Sequence, residues 1–336
     1  MDLPGHRARP IGLGLLGCAD IATRRVLPAV RATPGIRLAA VASRTAARAE
    51  SVAAEFGGRP VRDYRAVLGS PDVDAVYVPL PNELHADWIE RALAAGKHVL
   101  AEKPLTTSFE RTSELVDVAS AAGLVLRENF MFLQHVQHEH VRRLLAEGAV
   151  GELRVLSAAF TIPPRPPDDI RYQPSLGGGS LLDNGVYPIK AAQLFLGTGL
   201  DVLGANLRCA AEVDTAGSAL LARSDGVTAH LSFGMEHFYT SRYELHGSAG
   251  RITVDRAFTP PATYAPVIKL EREDGTHEIP VEPDDQYAKS IAAFVRAVRG
   301  SGEPTGAEVV DHARLVRDVR KMAEKAPLAT PAADGR

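Results

Sequence analysis

The chain has 336 residues, a formal net charge of −3 at pH 7 and two cysteines, Cys18 and Cys209. That length accommodates two domains and a sizeable core. The near-balanced charge gives no electrostatic footprint for nucleic acid or an anionic membrane, and two distant cysteines argue for a reducing cytoplasm with no disulfide framework. No run is long and apolar enough to span a bilayer. The N-terminal MDLPGHRARP has no signal-peptide apolar region; it and the C-terminal PLATPAADGR read as loose tails.

In chain order, IGLGLLG reads as a strand and IATRRVLPAVRAT as a helix. IRLAAVAS is a strand, and RTAARAESVAAEFG a helix closed by Gly57. VDAVYVPLP is a strand, and NELHADWIERALAAG a helix closed by Gly96. KHVLAEKP is a strand, SFERTSELVDVASAAG a helix closed by Gly123, and LVLREN a further strand. Glycines just past helix ends are expected there. Strand–helix alternation implies parallel βαβ units, hence a doubly wound sheet that takes ligands beyond the carboxyl ends of its strands. After Phe130 the pattern changes: a helix at HVQHEHVRRLLAEG precedes strand-like runs from LRVLSAAFTI to PVIKLERED, and two amphipathic helices close the chain. The expected fold is α/β, an N-terminal Rossmann domain over 1–128 and a C-terminal α+β domain over 129–330 with a large, mostly antiparallel sheet.

Gly12, Gly14 and Gly17 match G-x-G-x-x-G, but a phosphate-binding turn at Gly12 would have no strand before it. The strand is Ile11 to Leu16, so the turn runs Gly17-Cys18-Ala19-Asp20-Ile21-Ala22. Gly17 makes the sharp bend, Ala19 sits where backbone approaches the pyrophosphate, and Ala22 lies where helix meets strand. Cys18 reads as a small packing residue in this turn. The second strand ends at Ser43 and Arg44, with Arg48 one turn on. An acidic residue there would bind the ribose 2′-OH; Arg44 instead suits a 2′-phosphate, so NADP(H) is the expected cofactor. The next two strand ends place Leu80, Pro81, Asn82, His85, Glu102 and Lys103 on the ligand side as candidate cofactor contacts. His135, His138 and His140 lack a carboxylate or cysteine set to complete a metal site and read as helix-face residues, so no metal is expected.

Three motifs occur in order: P-x-x-x-H at Pro81 to His85, E-K-P at Glu102-Lys103-Pro104, and D-x-G-x-Y at Asp183 to Tyr187. With them the sequence resembles, over nearly its whole length, the glucose–fructose oxidoreductase/inositol dehydrogenase (Gfo/Idh/MocA) family. GCADIA, VYVPLP, ENFMF, FTIPP, DIRYQ, FGMEH and FTPPATY are similar, more narrowly, to the dTDP-sugar 3-ketoreductases of deoxysugar (kijanose-type) biosynthesis. The resemblance implies NADPH-dependent reduction of the C3 keto group of a dTDP-linked 3,4-diketo-2,6-dideoxyhexose. Two positions depart from the wider family: Tyr187 stands where a histidine is usual, as in the narrower group, and Ala19 where many members have glycine.

The roles are chemically coherent. Reducing a ketone develops negative charge on its oxygen, which a cation and a proton donor stabilise. Unperturbed Lys and Tyr titrate near pH 10, so both are protonated at neutral pH. Tyr187 is assigned as proton donor and Lys103 as electrostatic partner and second candidate donor. Asp183 is expected to orient Lys103 or the nicotinamide side, and Arg171 to join the cofactor set. Candidate substrate contacts are Lys103, Asn129, Arg165, Tyr187, His237, Tyr243 and Tyr264. IPPRPPDDIRYQ is too proline-rich for a helix or central strand. It is either a surface loop or a loop over cofactor and sugar, with Arg165 and Arg171 available for phosphate. Tyr243 and Tyr264 are equally readable as sheet aromatics. Two rival functions stand beside the ketoreductase: an NADP-dependent dehydrogenase of a free sugar or dihydrodiol, and a nonenzymatic dinucleotide sensor. A sensor needs the Gly17 turn but not Lys103 with Tyr187. A homo-oligomer is expected if one face of the large sheet lies open.

Overall fold

The computed structural model describes residues 9–210, 212–302 and 306–325; apart from Arg9 and Pro10, the two expected tails lie outside them. The chain divides into two compact units. One takes residues up to Thr106, Glu110–Gln134 and Asp285–Val309; the other takes Thr107–Phe109, His135–Asp284 and the chain from Val310.

The first unit is a parallel sheet of β1 (Ile11–Leu16), β2 (Ile36–Ala42), β3 (Arg59–Val61), β4 (Ala75–Val78), β5 (His98–Ala101) and β6 (Leu126–Glu128), in the order β3-β2-β1-β4-β5-β6. β1 is buried along its whole length, as a central parallel strand covered on both faces must be. Gly12 and Gly14 do lie within it. A Cβ on Gly12 would strike the Asp72 carbonyl and one on Gly14 the Val67 side chain, so both serve close packing. The helix after β1 differs from the single element expected. A π-turn over Ala22–Val26 leads into an α-helix over Leu27–Ala32. Pro28 lies inside this continuous helical run, where its missing N–H cannot complete the i→i−4 ladder, and the wider π-turn directly before it accommodates the break. β3 and the short helix Tyr64–Leu68, which Asp63 caps by accepting from the Ala66 N–H at 2.8 Å, are too short to show any periodicity.

The expected single cut between 128 and 129 requires correction. Helix Gln286–Val298 belongs to the first unit, where Ile291, Phe294 and Val295 share a core with Leu13, Leu15, Val26, Leu27 and Tyr77. Its 3.6-residue apolar period announces a buried face but not which sheet that face covers.

The second unit carries β7 (Leu153–Thr161), β8 (Asp201–Ala210), β9 (Val213–Ala222), β10 (Thr228–Gly234), β11 (Thr240–Gly247), β12 (Gly250–Asp255), β13 (Val267–Arg272) and β14 (Gly275–Pro280), ordered β14-β13-β12-β11-β7-β10-β9-β8. Among the described residues of this sheet, only β7 and β10 pair in parallel. Helix Val186–Leu196 packs on β7 and β10 and buries Leu156, Phe160, Leu231 and Phe233. β14 was not expected, because GTHEIP is almost wholly exposed and has no apolar alternation. β7, β10 and β12 run the same way, so the segments 162–179, 235–239 and 256–266 emerge at one end of this sheet.

Two buried histidines make the second unit acid-sensitive. Burial depresses His138, whose Nδ1 lies 2.9 Å from the Tyr243 hydroxyl, to about 3. His312, its Nε2 3.1 Å from the Val186 carbonyl, is likewise depressed by burial to about 3. Unfolded histidine titrates near 6.5. The unfolded chain therefore binds more protons between those values, and stability is full above pH 6.5 and falls as pH drops toward 3. Thermal melts should hold a constant midpoint from pH 8 to about 6.5 and lose it progressively below. Each histidine contributes up to about 1.4 kcal/mol per pH unit. A melting temperature flat down to pH 4.5 would contradict the assignment.

Candidate active site

At the first unit's ligand end, Gly17 turns the chain with φ +99°, and its N–H donates to the Ala42 carbonyl at 2.9 Å. A Cβ there would come within 2.8 Å of Leu80 and 3.5 Å of the Tyr64 hydroxyl, so only glycine fits. Cys18 is buried, and burial pushes its thiol above the usual range despite a hydrogen bond with Ser43. Ala19 and Ile21 are half-buried and Asp20 is exposed. The two arginines after β2 have different surroundings. Arg48 donates from Nε to the Cys18 carbonyl at 2.9 Å and from a terminal nitrogen to Asp20 at 3.3 Å, which ties it to the turn. Arg44 is exposed and, among the described residues, no carboxylate pairs with it. A turn that a Cβ would fill, followed by an unpaired arginine where an acidic ribose ligand would stand, fits a phosphorylated dinucleotide. Leu80, Pro81 and Asn82 are half-buried, with Leu80 against the turn.

The Lys103 turn is held on both sides. Before it, Glu102 Oε1 accepts from the Tyr77 hydroxyl and from the Asn129 amide, each at 2.7 Å. Asn129 Oδ1 in turn accepts from the Ser290 hydroxyl at 2.8 Å. After it, the Leu105 N–H donates to Glu128 at 2.7 Å. His85 sits 2.9 Å from the Pro104 carbonyl and 2.8 Å from the Leu80 carbonyl. Lys103 itself is half-buried, and its peptide bond to Pro104 is cis.

These contacts give three of the expected site residues internal partners. His85 is fully buried and clasps two backbone turns instead of facing a cofactor. Burial favours its neutral form, in which the ring donates to only one of the two carbonyls. Asn129, 1% exposed, lies inside the unit as a hydrogen-bond relay instead of lining a substrate surface. Glu102, 8% exposed, anchors the same relay through its Oε1. Tyr77, Glu128 and Ser290 had not been singled out. Tyr77 reads as strand core, and Ser290 lies 161 residues from its partner.

In the second unit, Tyr187 opens helix Val186–Leu196 directly after a π-turn over Leu181–Gly185. The wider turn replaces the single α-helical face expected for Asp183 and Tyr187. The Tyr187 ring packs 4.8 Å from Phe160 and 5.7 Å from Phe258, centroid to centroid. Asp183 accepts from Arg171 Nε at 2.7 Å, and Arg171 also pairs with Asp169 at 3.1 Å. Both carboxylates hold the guanidinium charged far above the ordinary range. Arg171 is therefore paired by two carboxylates through its Nε and one terminal nitrogen. Arg165 is exposed, its backbone N–H donating to the Tyr172 hydroxyl at 3.2 Å, in a loop with 3₁₀ turns at Ile170–Tyr172 and Pro174–Leu176. His237 is exposed beside Gly234, and Tyr264 is half-buried. Tyr243 is fully buried and hydrogen-bonded to His138, which removes it from the candidate substrate contacts. Of the three histidines near residue 138, His135 and His138 are core residues and His140 is half-buried. No group of three or more His, Cys, Asp or Glu is arranged to hold a metal among the described residues, and no described helix is long and apolar enough to cross a membrane.

Residues 11–130 match the family described as "Oxidoreductase family, NAD-binding Rossmann fold", and residues 138–253 match the "GFO/IDH/MocA C-terminal domain". The chain belongs to the Gfo/Idh/MocA oxidoreductase family. Within that family it is similar to the dTDP-3,4-didehydro-2,6-dideoxy-alpha-D-glucose 3-reductase of Actinomadura kijaniata, with 55% identity over 90% of this chain and 92% of that one. The enzyme of the same name from Streptomyces violaceoruber is 50% identical over 95% of this chain and 98% of its own. Among solved structures, a 3-ketoreductase from Actinomadura kijaniata in complex with NADP and TDP-benzene matches with a TM-score of 0.91. It is 53% identical, and the match covers 94% of this chain and 98% of that one.

Proposed function

We propose that this protein reduces the C3 keto group of a dTDP-linked 3,4-diketo-2,6-dideoxyhexose with NADPH. The observation that carries the reading is the likeness to the 3-reductases over nine-tenths of the chain, joined to a dinucleotide turn followed by an unpaired Arg44. The Gly17 turn holds the pyrophosphate and Arg44 the 2′-phosphate. When bound, the cofactor supplies the hydride to the keto carbon. Tyr187 gives its hydroxyl proton to the keto oxygen, which stays on C3 as the new hydroxyl, and the Lys103 ammonium stabilises the charge that develops there. Arg171, held by Asp169 and Asp183, fixes the Asp183 turn immediately ahead of Tyr187. Two free cysteines, one buried and one exposed, suit a reducing cytoplasm.

The face of the large sheet opposite helix Val186–Leu196 forms a concavity of about 650 Å³ lined by residues such as Ser157, Asn206, Ser218, His230 and Arg242. It supports a homo-oligomer, which light scattering on the purified chain would test.

The nucleotide half of the substrate supplies binding energy that positions the keto carbon. dTDP alone should therefore bind the NADP-loaded protein in calorimetry, and the free keto sugar should turn over poorly even at high concentration, since a truncated substrate loses kcat as well as affinity. A D-xylose 1-dehydrogenase (NADP(+)) from Haloferax volcanii, 36% identical over 93% of this chain, favours the free-sugar rival as the second reading. Absent dTDP binding together with efficient oxidation of a free aldose would promote that rival.

A further inference from the structure

Arg256 is the one non-glycine residue with positive φ among the described residues, at +54°. The left-handed region disfavours a side chain with a Cβ, and such strain collects at functional positions. The strain has a visible cause. Directly after β12 the chain must turn inward so that the Ala257 and Phe258 N–H groups meet the Ser241 carbonyl and hydroxyl, at 2.9 and 3.0 Å, with both residues fully buried. A glycine would make that turn without strain. The arginine that stands there is exposed and forms no ion pair among the described residues. Its guanidinium lies 5.3 Å from the Tyr239 ring and 5.9 Å from the Tyr264 ring, and Tyr239 is braced by a 3.1 Å bond to Thr259. Two rings therefore hold a planar, unpaired cation in place.

Its position gives the charge a purpose. Arg256 precedes Phe258 by two residues, a span of at most about 7 Å of chain, and Phe258 packs on Tyr187. The segments 162–179, 235–239 and 256–266 converge at this end of the sheet, and Phe238, 91% exposed, stands next to Tyr239. Of the two arginines expected to serve phosphate, Arg171 is paired with Asp169 and Asp183, and Arg165 is exposed in the 162–179 segment.

We infer that Arg256, clasped by Tyr239 and Tyr264, is the site for the diphosphate of the sugar nucleotide, one sugar ring away from the Tyr187 hydroxyl. The inference rests on the ketoreductase reading of that same site. A guanidinium fork suits the bidentate oxygens of a diphosphate, and a clasped arginine loses little freedom on binding.

The test is calorimetry on the full chain saturated with NADP, using dTDP and thymidine as separate probes. Arg256→Gly removes the cation and relieves the backbone, so its melting temperature should hold or rise. Its affinity for dTDP should fall roughly 10- to 150-fold, with thymidine and NADP binding unchanged. Arg256→Lys should recover part of the loss, because it keeps the charge but not the fork. Unchanged dTDP affinity in Arg256→Gly, or an equal loss for thymidine, overturns the inference and leaves the ketoreductase reading standing. A wild-type protein that binds no dTDP overturns both.

Discussion

Replacing Tyr187 with phenylalanine should lower kcat by about 10²–10⁴, the usual effect of losing a positioned acid, while NADPH affinity stays within a small factor of wild type. The substitution spares the aromatic packing. The ring sits against Phe160 and Phe258, and phenylalanine keeps that packing while removing only the hydroxyl. Lys103→Ala should also act on kcat, by withdrawing the cation beside the developing oxyanion. The ratio of the two variants identifies the donor. If Tyr187 is the sole acid, its variant falls in the full range. If Lys103 substitutes for it, the tyrosine variant loses less and Lys103→Ala becomes the worse of the two. Steady-state turnover, with NADPH binding measured separately by fluorescence, decides. Full activity in both would end this assignment.

Arg44→Ala should weaken NADPH roughly 10- to 150-fold, the value of one charge-assisted contact of about 1.5–3 kcal/mol, and leave NADH almost unaffected. The structure separates Arg44 from its neighbour here. Arg48 is committed to the Cys18 carbonyl and Asp20, whereas Arg44 has no carboxylate partner to give up before meeting a 2′-phosphate. The contrast between the two cofactors is the readout. Equal losses would place Arg44 away from the ribose.

The alternation of five of the first six strands, all but β3, with their helices was legible because each element repeats a simple period between glycines. The register of the dinucleotide turn followed from needing a strand before it, and Gly17, not Gly12, carries the left-handed φ. Short or exposed elements such as β3 and β14 left no trace, since three residues hold no alternation and an exposed hairpin buries nothing. The residues that matter chemically divide in the same way. Lys103 and Tyr187 stand in local motifs, but what surrounds them depends on distant chain. The polar types of Asn129 and Tyr243 suggested substrate contacts, yet burial beside Glu102 and His138 gives them internal partners. Ser290 and Arg256 carried no signal, because one acts through a partner 161 residues away and the other through a backbone angle.

The relay from Tyr77 through Glu102 and Asn129 ends on Ser290, in a helix the ribosome makes only after the whole second sheet. The first unit is thus threaded around an inserted one, and its amino-terminal 134 residues leave the ribosome with an uncovered apolar face where Ile291, Phe294 and Val295 belong. A nascent chain must keep that surface from aggregating until the closing helix arrives. The same constraint governs domain exchange between relatives: a transplanted nucleotide-binding half that stops near residue 134 arrives without its last layer and without the far anchor of the Lys103 turn, so a working chimera must carry Asp285–Val309 along with it.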